Sequence, residues 1–478
     1  MLDAATPMFS LGNFLREAKN SVHHVDGPIS TAYDITALQY AIGDLGRFPV
    51  IYAEKPLLMD GTVSGIPLVC NLTASRELTA QALGLDDHRY AARVYADRTS
   101  ATIEPVIVPS ADAPVQEVVL RGDDADLTRL PAVRQHILDP GPYLTSAHAT
   151  TYDPETGIDN TAIQRCWVKG PKVMSYFPYP SSHNARNMRK FWSRGEACPV
   201  AFWIGHHPAV LMGTQAKLKY PESHWGATGG LIGEPLRMVP SVTHGSDIMV
   251  PADAEIVIEG WVPADVLQAD GPFGEYTGYS GPQTPAPICE ITCITRRRNA
   301  IYHDYGSGLP DMLVPDNMVM EGKLFSMVRG IAPSVSNIHV PNSGRRFHAY
   351  IQLDKPSLGE ARDALTSVLS YRRIKTAVAV DTDVDIFSDS DVMWALATRV
   401  QWNRDSFSID GLSGSMLDPS MSAGARTTSK LAIDATMPAT SVTGAPNPVP
   451  PRARVPDDAA GRARDRLDGI DFSRWPVA

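Results

Sequence analysis

Two carboxylates stand five positions apart in the segment Asp270-Gly-Pro-Phe-Gly-Glu275-Tyr-Thr-Gly-Tyr279. Pro272 restricts its own φ angle and the glycines permit angles that other residues avoid, so the segment predicts a rigid turn. Two acids held towards one point are suited to proton transfer. The alternative is a solvated acidic loop, but these acids lie among apolar residues. We therefore predict acid–base chemistry at residues 270–279, which we call the acid turn.

A cationic partner for these acids lies upstream. Arg165 is the natural counter-charge for Asp270 and Glu275, because an arginine lowers the pKa of the carboxylate that it pairs with. The other carboxylate, in an apolar pocket, is expected to have a raised pKa and to carry a proton near neutral pH. A purely structural buried ion pair is an equally open interpretation.

A second group of side chains has the donor types that divalent cations accept. Asn160, His183 and Glu234 offer an amide oxygen, an imidazole and a carboxylate. Residues 160–165 run into a strand, which places Asn160 and Arg165 on opposite faces if the strand is unbroken. The spacing also allows His183 to be an ordinary hydrogen-bonded loop residue.

Composition excludes several classes of protein. The net charge is −10, which disfavours a general nucleic-acid-binding surface. We find no secretion signal at the start and no apolar run near the roughly 20 residues of a membrane helix. The five cysteines include no CxxC pair, so we read them as reduced thiols. These features predict a cytoplasmic protein without nucleic-acid or membrane partners.

The chain of 478 residues is long enough for two or three domains. Residues 1–115 predict mixed α/β structure, with helices at 11–15 behind Ser10 and at 76–83, and a strand at 48–52. Residues 116–305 alternate apolar and polar side chains at 162–168, 255–262 and 289–295, which indicates an antiparallel sheet or barrel.

The last third returns to alternating helices and strands. In residues 306–440, Ser357 and Glu360 form a capping-box pattern, Ser388 caps a second helix, and 376–380 is a buried-type strand. The tail, 441–478, is rich in Pro and Arg and shows no periodicity. It predicts either disorder or contact with a partner subunit.

Taken together, these segments resemble the UbiD family of reversible decarboxylases, which use prenylated FMN. The resemblance rests on residues 160–165, His183, Gly233-Glu234, the acid turn, and the segments 384–399 and 430–436. It implies an α/β (α+β) subunit of three domains. These are an N-terminal α/β domain (1–115), a central split β-barrel that binds the flavin (116–305), and a C-terminal α/β oligomerisation domain (306–440).

The resemblance also implies residue roles. Asn160, His183 and Glu234 would hold a divalent cation, usually Mn²⁺, on the cofactor phosphate, with K⁺ or Na⁺ nearby. Glu275 would be the proton donor, with Arg165 and Asp270 completing the catalytic set. Asp270 departs from the family's commoner Glu, which leaves open whether it reaches Arg165 directly or through water. The implied flavin-lining residues are Ile163, Gln164, Arg165, Phe177, Pro178, Tyr179 and Ser182.

We therefore expect a prenylated-FMN-dependent, reversible and non-oxidative decarboxylase of an aromatic or heteroaromatic carboxylic acid. A flavin prenyltransferase would supply the cofactor, and the chain would form a homodimer or larger homo-oligomer. The substrate could instead be an α,β-unsaturated acid, either cinnamate-like or aliphatic. The same residues would also suit a non-enzymatic flavin-binding assembly protein, or a metal-dependent hydrolase that uses His183, Glu234, Asp270 and Glu275.

Overall fold

The structure is a computed structural model that describes residues 8–422, 424–437, 452–467 and 470. Within these residues, every helix is too short or too polar to cross a membrane. Most of the predicted tail lies outside the described residues.

Twelve α-helices occur in the described residues, and the longest, α8, contains a proline. The helices are α1 (Leu11–Glu17), α2 (Asp34–Asp44), α3 (Arg76–Ala82), α4 (Ala91–Ser100), α5 (His183–Trp192), α6 (Pro208–Gly213), α7 (His224–Ile232), α8 (Pro310–Arg329), α9 (Glu360–Leu369), α10 (Asp389–Arg399), α11 (Trp402–Asp405) and α12 (Asp457–Asp465).

Twenty-two strands accompany the helices in the described residues. The strands are β1 (Val22–Ser30), β2 (Val50–Leu57), β3 (Leu68–Cys70), β4 (Val106–Ile107), β5 (Val118–Arg121), β6 (Tyr143–Tyr152), β7 (Asp159–Trp167), β8 (Val173–Ser175), β9 (Cys198–Ile204), β10 (Arg237–Ser241), β11 (Gly245–Pro251), β12 (Ile256–Val262), β13 (Leu267–Asp270), β14 (Phe273–Gly274), β15 (Ser280–Gly281), β16 (Thr284–Arg296), β17 (Tyr302–His303), β18 (Val335–His339), β19 (His348–Leu353), β20 (Thr376–Asp381), β21 (Ser406–Ser413) and β22 (Thr427–Asp434).

The N-terminal part is mixed α/β, as predicted. Helix α1 begins behind Ser10, whose Oγ accepts a hydrogen bond from Asn13 N at 3.2 Å. The sheet has the order β1-β2-β3-β17. Because β17 comes from residues 302–303, the chain returns from the central part to complete the N-terminal sheet.

The central sheet explains the alternation in the sequence. The sheet has eight strands. Six follow the path β13-β16-β12-β9-β6-β7, and the other two, β5 and β8, also pair with β16. An isolated bridge joins Val168, just beyond β7, to Met174 on β8. Since β8 pairs with β16, this bridge links the last strand of the path back to its beginning, as in a split barrel.

The C-terminal part is a five-stranded sheet of order β18-β19-β20-β22-β21, covered on both faces. Side chains of β20 alternate, because Ala377 and Ala379 pack with α8 and α9 while Val378 and Val380 pack with α10. The capping-box residues do bond, with Ser357 N donating to Glu360 Oε2 at 2.8 Å. The helix nevertheless begins at Glu360 rather than before it.

The described part of the tail corrects one expectation, because α12 is a helix where no periodicity was recognised. Arg452, in the described part of the tail, contacts helix α10 of the same chain. Arg452 Nη1 donates to Asp391 Oδ2 at 3.1 Å, and its guanidinium lies 4.1 Å from the ring centroid of Trp394.

Candidate active site

The structure brings Arg165, Asp270 and Glu275 into direct contact, and we call them the acid–arginine cluster. Arg165, on β7, donates from Nε and Nη2 to Asp270 Oδ2 at 3.1 and 2.8 Å. Its Nη1 donates to Glu275 Oε1. Asp270 therefore touches Arg165 directly, without a bridging water. Arg165 therefore contacts both of the acids for which the sequence made it the counter-charge.

The acid turn holds Glu275 by its backbone. Strands β14 and β15 form a short hairpin, and Glu275 N donates to Tyr279 O at 2.9 Å. Gly278 has φ +86, which residues with a Cβ rarely adopt. A Cβ on Gly274 would lie 2.4 Å from His136 Nδ1, so only glycine fits there. The spacing of glycines in the sequence therefore reflects real backbone constraints.

Asp270 is fully buried and uses both carboxylate oxygens. Besides Arg165 on Oδ2, the Ser175 hydroxyl donates to Oδ1 at 2.7 Å. The next peptide is fixed as well, because Gly271 N donates to the Tyr143 hydroxyl at 3.1 Å. This environment makes Asp270 a positioning residue for Arg165.

Glu275 is the acid that can reach a ligand, with 16% of its side chain exposed against 0% for Asp270. Burial raises the pKa of Glu275, while the cations Arg165 and Arg346 lower it and Asp270 raises it further. The net direction is upward. Glu275 therefore holds a proton at higher pH than a solvated glutamate, which suits a general acid.

This shift predicts the pH dependence of turnover. A proton donor is lost when it ionises, so kcat/KM is expected to fall as pH rises through the raised pKa of Glu275. Arg346→Gln removes a cation that lowers this pKa, so the alkaline limb should move to higher pH. An Arg298→Gln control, at an exposed arginine, should leave the limb in place. Movement to lower pH in Arg346→Gln would contradict the electrostatic assignment.

Asp270→Glu restores the residue more common among UbiD-like sequences, and we expect a folded and partly active protein. Because Asp270 has no free surface, the added methylene must displace Ser175 or Arg165, at a cost of about 1–3 kcal/mol. Steady-state kinetics should show KM raised more than kcat is lowered. Asp270→Asn, which keeps the size but loses the charge, should be the more damaging change. An Asp270→Glu protein with neither fold nor flavin would show that position 270 is purely structural.

The predicted cation site is only partly assembled. Asn160 Nδ2 donates to Asn184 Oδ1 at 2.6 Å, which leaves the Asn160 Oδ1 available to a cation. His183 is the first residue of α5, and burial lowers its pKa, so the ring is neutral and able to bind a metal. The negative charge of Glu222 opposes this shift without reversing it, which places Glu222 near His183. The sequence analysis missed Glu222.

Glu234 does not join Asn160 and His183, contrary to expectation. Helix α7 begins beside Asn160, because His224 N donates to Asp159 Oδ2 at 2.8 Å. Nine helical residues rise about 13 Å, and Glu234 lies beyond the far end, exposed, with its charge acting on Asp253. Glu222 immediately precedes the N-cap of the same helix and therefore lies at the correct end.

Most of the predicted flavin-lining residues keep part of their side chains accessible. Ile163, Gln164, Arg165, Phe177, Tyr179, Ser182 and His183 are half-buried, and Pro178 is buried. Ser182 is the N-cap of the ten-residue helix α5, and helix N-termini favour phosphate groups. Among the described residues, no cluster of three or more His, Cys, Asp or Glu side chains could hold a metal on its own.

Comparison with known proteins defines the class. Three family models match residues 14–97, 106–310 and 317–435, and they describe the N-terminal, Rift-related and C-terminal domains of 3-octaprenyl-4-hydroxybenzoate carboxy-lyase. A chain with this fold and an acid–arginine cluster is a decarboxylase, that is, a carboxy-lyase. It belongs to the UbiD family.

Individual relatives agree with this assignment. The chain is 29% identical to anhydromevalonate phosphate decarboxylase of Methanosarcina mazei, over 78% of this chain and 86% of that one. It is 31% identical to the UbiD-class enzyme HmfF of Pelotomaculum thermopropionicum in complex with FMN, at a TM-score of 0.86, covering 98% and 100% of the chains. Vanillic acid decarboxylase of Sedimentibacter hydroxybenzoicus is 26% identical at a TM-score of 0.84, covering 96% and 99%.

Proposed function

We propose that this protein catalyses the reversible, non-oxidative decarboxylation of an aromatic or heteroaromatic carboxylic acid with prenylated FMN, and that Glu275 is the proton donor. The acid–arginine cluster is the observation that carries the proposal. It presents one fully buried carboxylate, one partly exposed carboxylate with a raised pKa, and a guanidinium that contacts both.

The exposure and charge of each residue indicate its role in the reaction. The bound flavin supplies an electron sink for the electrons released as CO₂ leaves. Asp270 and Ser175 fix Arg165, whose guanidinium orients Glu275 and the substrate carboxylate. Glu275 then delivers its proton from Oε to the carbon that has lost CO₂. In the carboxylation direction, the same oxygen accepts the proton.

Asn160, His183 and Glu222 would hold the divalent cation, for which Mn²⁺ is the candidate, on the cofactor phosphate. Glu222 replaces Glu234 in this set because of its position at the N-terminal end of α7. An amide oxygen, a neutral imidazole and a carboxylate suit such an ion. K⁺ or Na⁺ would balance the remaining phosphate charge, and a flavin prenyltransferase would supply the cofactor.

The substrate class has two candidates. Similarity to vanillic acid decarboxylase supports an aromatic acid. Similarity to anhydromevalonate phosphate decarboxylase, at slightly higher identity, favours a non-aromatic phosphorylated acid as the second candidate. Both candidates require the same proton donor.

A screen tests the proposal. The protein, co-expressed with a flavin prenyltransferase, is incubated with aromatic, heteroaromatic and α,β-unsaturated acids, and CO₂ release is measured. We expect release from at least one aromatic or heteroaromatic acid. Release from enoic acids alone would move the substrate class to α,β-unsaturated acids, and bound flavin without any CO₂ chemistry would favour the non-enzymatic binding protein.

We also expect assembly through residues beyond 306. Trp402 and Met393 of the C-terminal domain are 58% and 60% exposed, and α12 has no buried residue in one chain. Burying such apolar surface against a second copy would stabilise a homodimer. Light scattering at micromolar concentration should show at least twice the chain mass of 51.8 kDa. A monomer alone would contradict the predicted assembly. If a dimer is found, a stable dimer after deletion of residues 441–478 would show that the tail is not needed for assembly.

A further inference from the structure

Three cations converge on one carboxylate beside the acid turn. Lys217 Nζ lies 3.0 Å from Asp316 Oδ1, while Arg346 Nη1 and Arg373 Nη1 lie 3.0 and 2.9 Å from Asp316 Oδ2. Asp316 is on α8, and the cations come from three separate loops. We call these four residues the cation cluster.

The cluster carries excess positive charge. Asp316 can neutralise only one of the three cations, so two positive charges remain. Glu275, whose pKa responds to Arg346, shares Arg165 with Asp270 and can offset at most one of these charges, so at least one positive charge remains. Excess charge of one sign, held away from bulk water, requires a counter-ion.

Part of the cluster is accessible to solvent. The side chain of Lys217 is 24% accessible. Arg373 is also 24% accessible, and Asp316 is 16% accessible, as is Glu275. Solvent therefore reaches three of the four members of the cluster, and a small anion could reach them too.

The cluster adjoins the proton donor. The guanidiniums of Arg346 and Arg373 lie 4.8 and 5.8 Å from the ring centroid of Tyr276, the residue after Glu275. On the other side, the guanidinium of Arg372 lies 4.9 Å from the ring centroid of Tyr179, one of the proposed flavin-lining residues. The cation cluster therefore lies beside the donor, and Arg372, the chain neighbour of Arg373, contacts a residue proposed to line the flavin.

Arg346 has unused binding capacity. Its side chain is buried, and its Nε has no hydrogen-bond partner among the described residues. Arg345 and Arg346 have φ angles of 46 and 65, a left-handed conformation that costs energy for residues with a Cβ. Such strain is typical of ligand-binding segments.

We propose that the cation cluster is an anion subsite that binds a second acidic group of the substrate, a carboxylate or phosphate remote from the carboxylate that is lost. The inference rests on the proposed decarboxylase function and narrows its substrate to a dianionic acid. Arg373 would contribute hydrogen bonds to this group and Lys217 a point charge. Arg346 would contribute its charge and its Nε, because its Nη1 contacts Asp316 and its Nη2 donates to Met312 O at 3.0 Å.

Two measurements on flavin-loaded protein test this subsite. Calorimetric titration with inorganic phosphate should show saturable binding, because the loaded cofactor already fills its own phosphate site. Lys217→Met and Arg373→Met should each raise the Kd at least tenfold. The Arg298→Gln control should leave the Kd unchanged. CO₂ release is then compared for the best monoacid of the screen and for two derivatives of it, one with a second carboxylate and one with a phosphate ester remote from the carboxylate that is lost.

The kinetic comparison should favour dianionic acids at least tenfold in kcat/KM, and both Met variants should reduce that preference. The better of the two dianions identifies the second group as carboxylate or phosphate. Absence of phosphate binding would overturn the proposed subsite. Loss of flavin in both Met variants would also overturn it, because the cluster would then be part of the cofactor site. If the monoacid is turned over as fast as the dianionic acids, the subsite proposal is overturned, but the proposed decarboxylase function stands. Phosphate binding at the cluster with no CO₂ from any acid in the screen would instead refute the decarboxylase function.

Discussion

Glu275→Gln is expected to abolish steady turnover while fold and flavin content are retained. Glutamine keeps the shape of the side chain and its contact with Arg165, but it has no proton to deliver. A general acid contributes about 10²–10⁴-fold to rate, so kcat should fall by at least that much. CO₂ release from the best acid of the screen is the measurement, with flavin absorbance recorded on the same sample.

A matched control separates the proton donor from general damage. Glu290 is an exposed glutamate on β16, and Glu290→Gln should retain wild-type kcat. If Glu275→Gln also keeps kcat within a few-fold of wild type, the proton donor is another group.

The second large effect concerns the cation. Glu222→Gln and His183→Ala should each lower bound Mn²⁺ by about tenfold or more, because each removes a donor from a small set of ligands. The cofactor phosphate would lose its bridging cation, so flavin retention through gel filtration should fall as well. Elemental analysis and absorbance of the purified variants measure both quantities.

Glu234→Gln provides the matched comparison, since both glutamates are exposed and flank the same helix, α7. We expect metal and flavin in Glu234→Gln at wild-type levels. Full metal occupancy in Glu222→Gln, together with loss in Glu234→Gln, would restore the assignment made from sequence.

Local sequence predicted the acid turn and its partner well. Glycine, proline and two acids within ten residues specify one hairpin. The guanidinium of Arg165 has enough donors to bind both acids. The alternation in residues 162–168 likewise specified a strand, because side chains of a strand point alternately to its two faces. The continuous apolar run at 376–380 specified a strand buried on both faces. Boundaries of the three predicted domains stay predictions.

The proposed cation-binding glutamate and the cation cluster were not predicted from the sequence, because both depend on which residues lie close in space. Glu222 and Glu234 differ by one helix length, and recognising α7 from its N-cap, Ser223, could have shown that only Glu222 adjoins Asn160. The cation cluster has no sequence signal, since its members come from positions 217, 316, 346 and 373 and meet only after the domains pack.

The most direct test of the central claim is decarboxylation in D₂O by protein prepared with and without a flavin prenyltransferase. Our account predicts one CO₂ per product, with a single deuterium at the carbon that lost the carboxylate and no consumption of oxygen or nicotinamide. It predicts this only for protein that carries the modified flavin. Equal CO₂ release from protein lacking that flavin, or a product of changed oxidation state, would contradict the account.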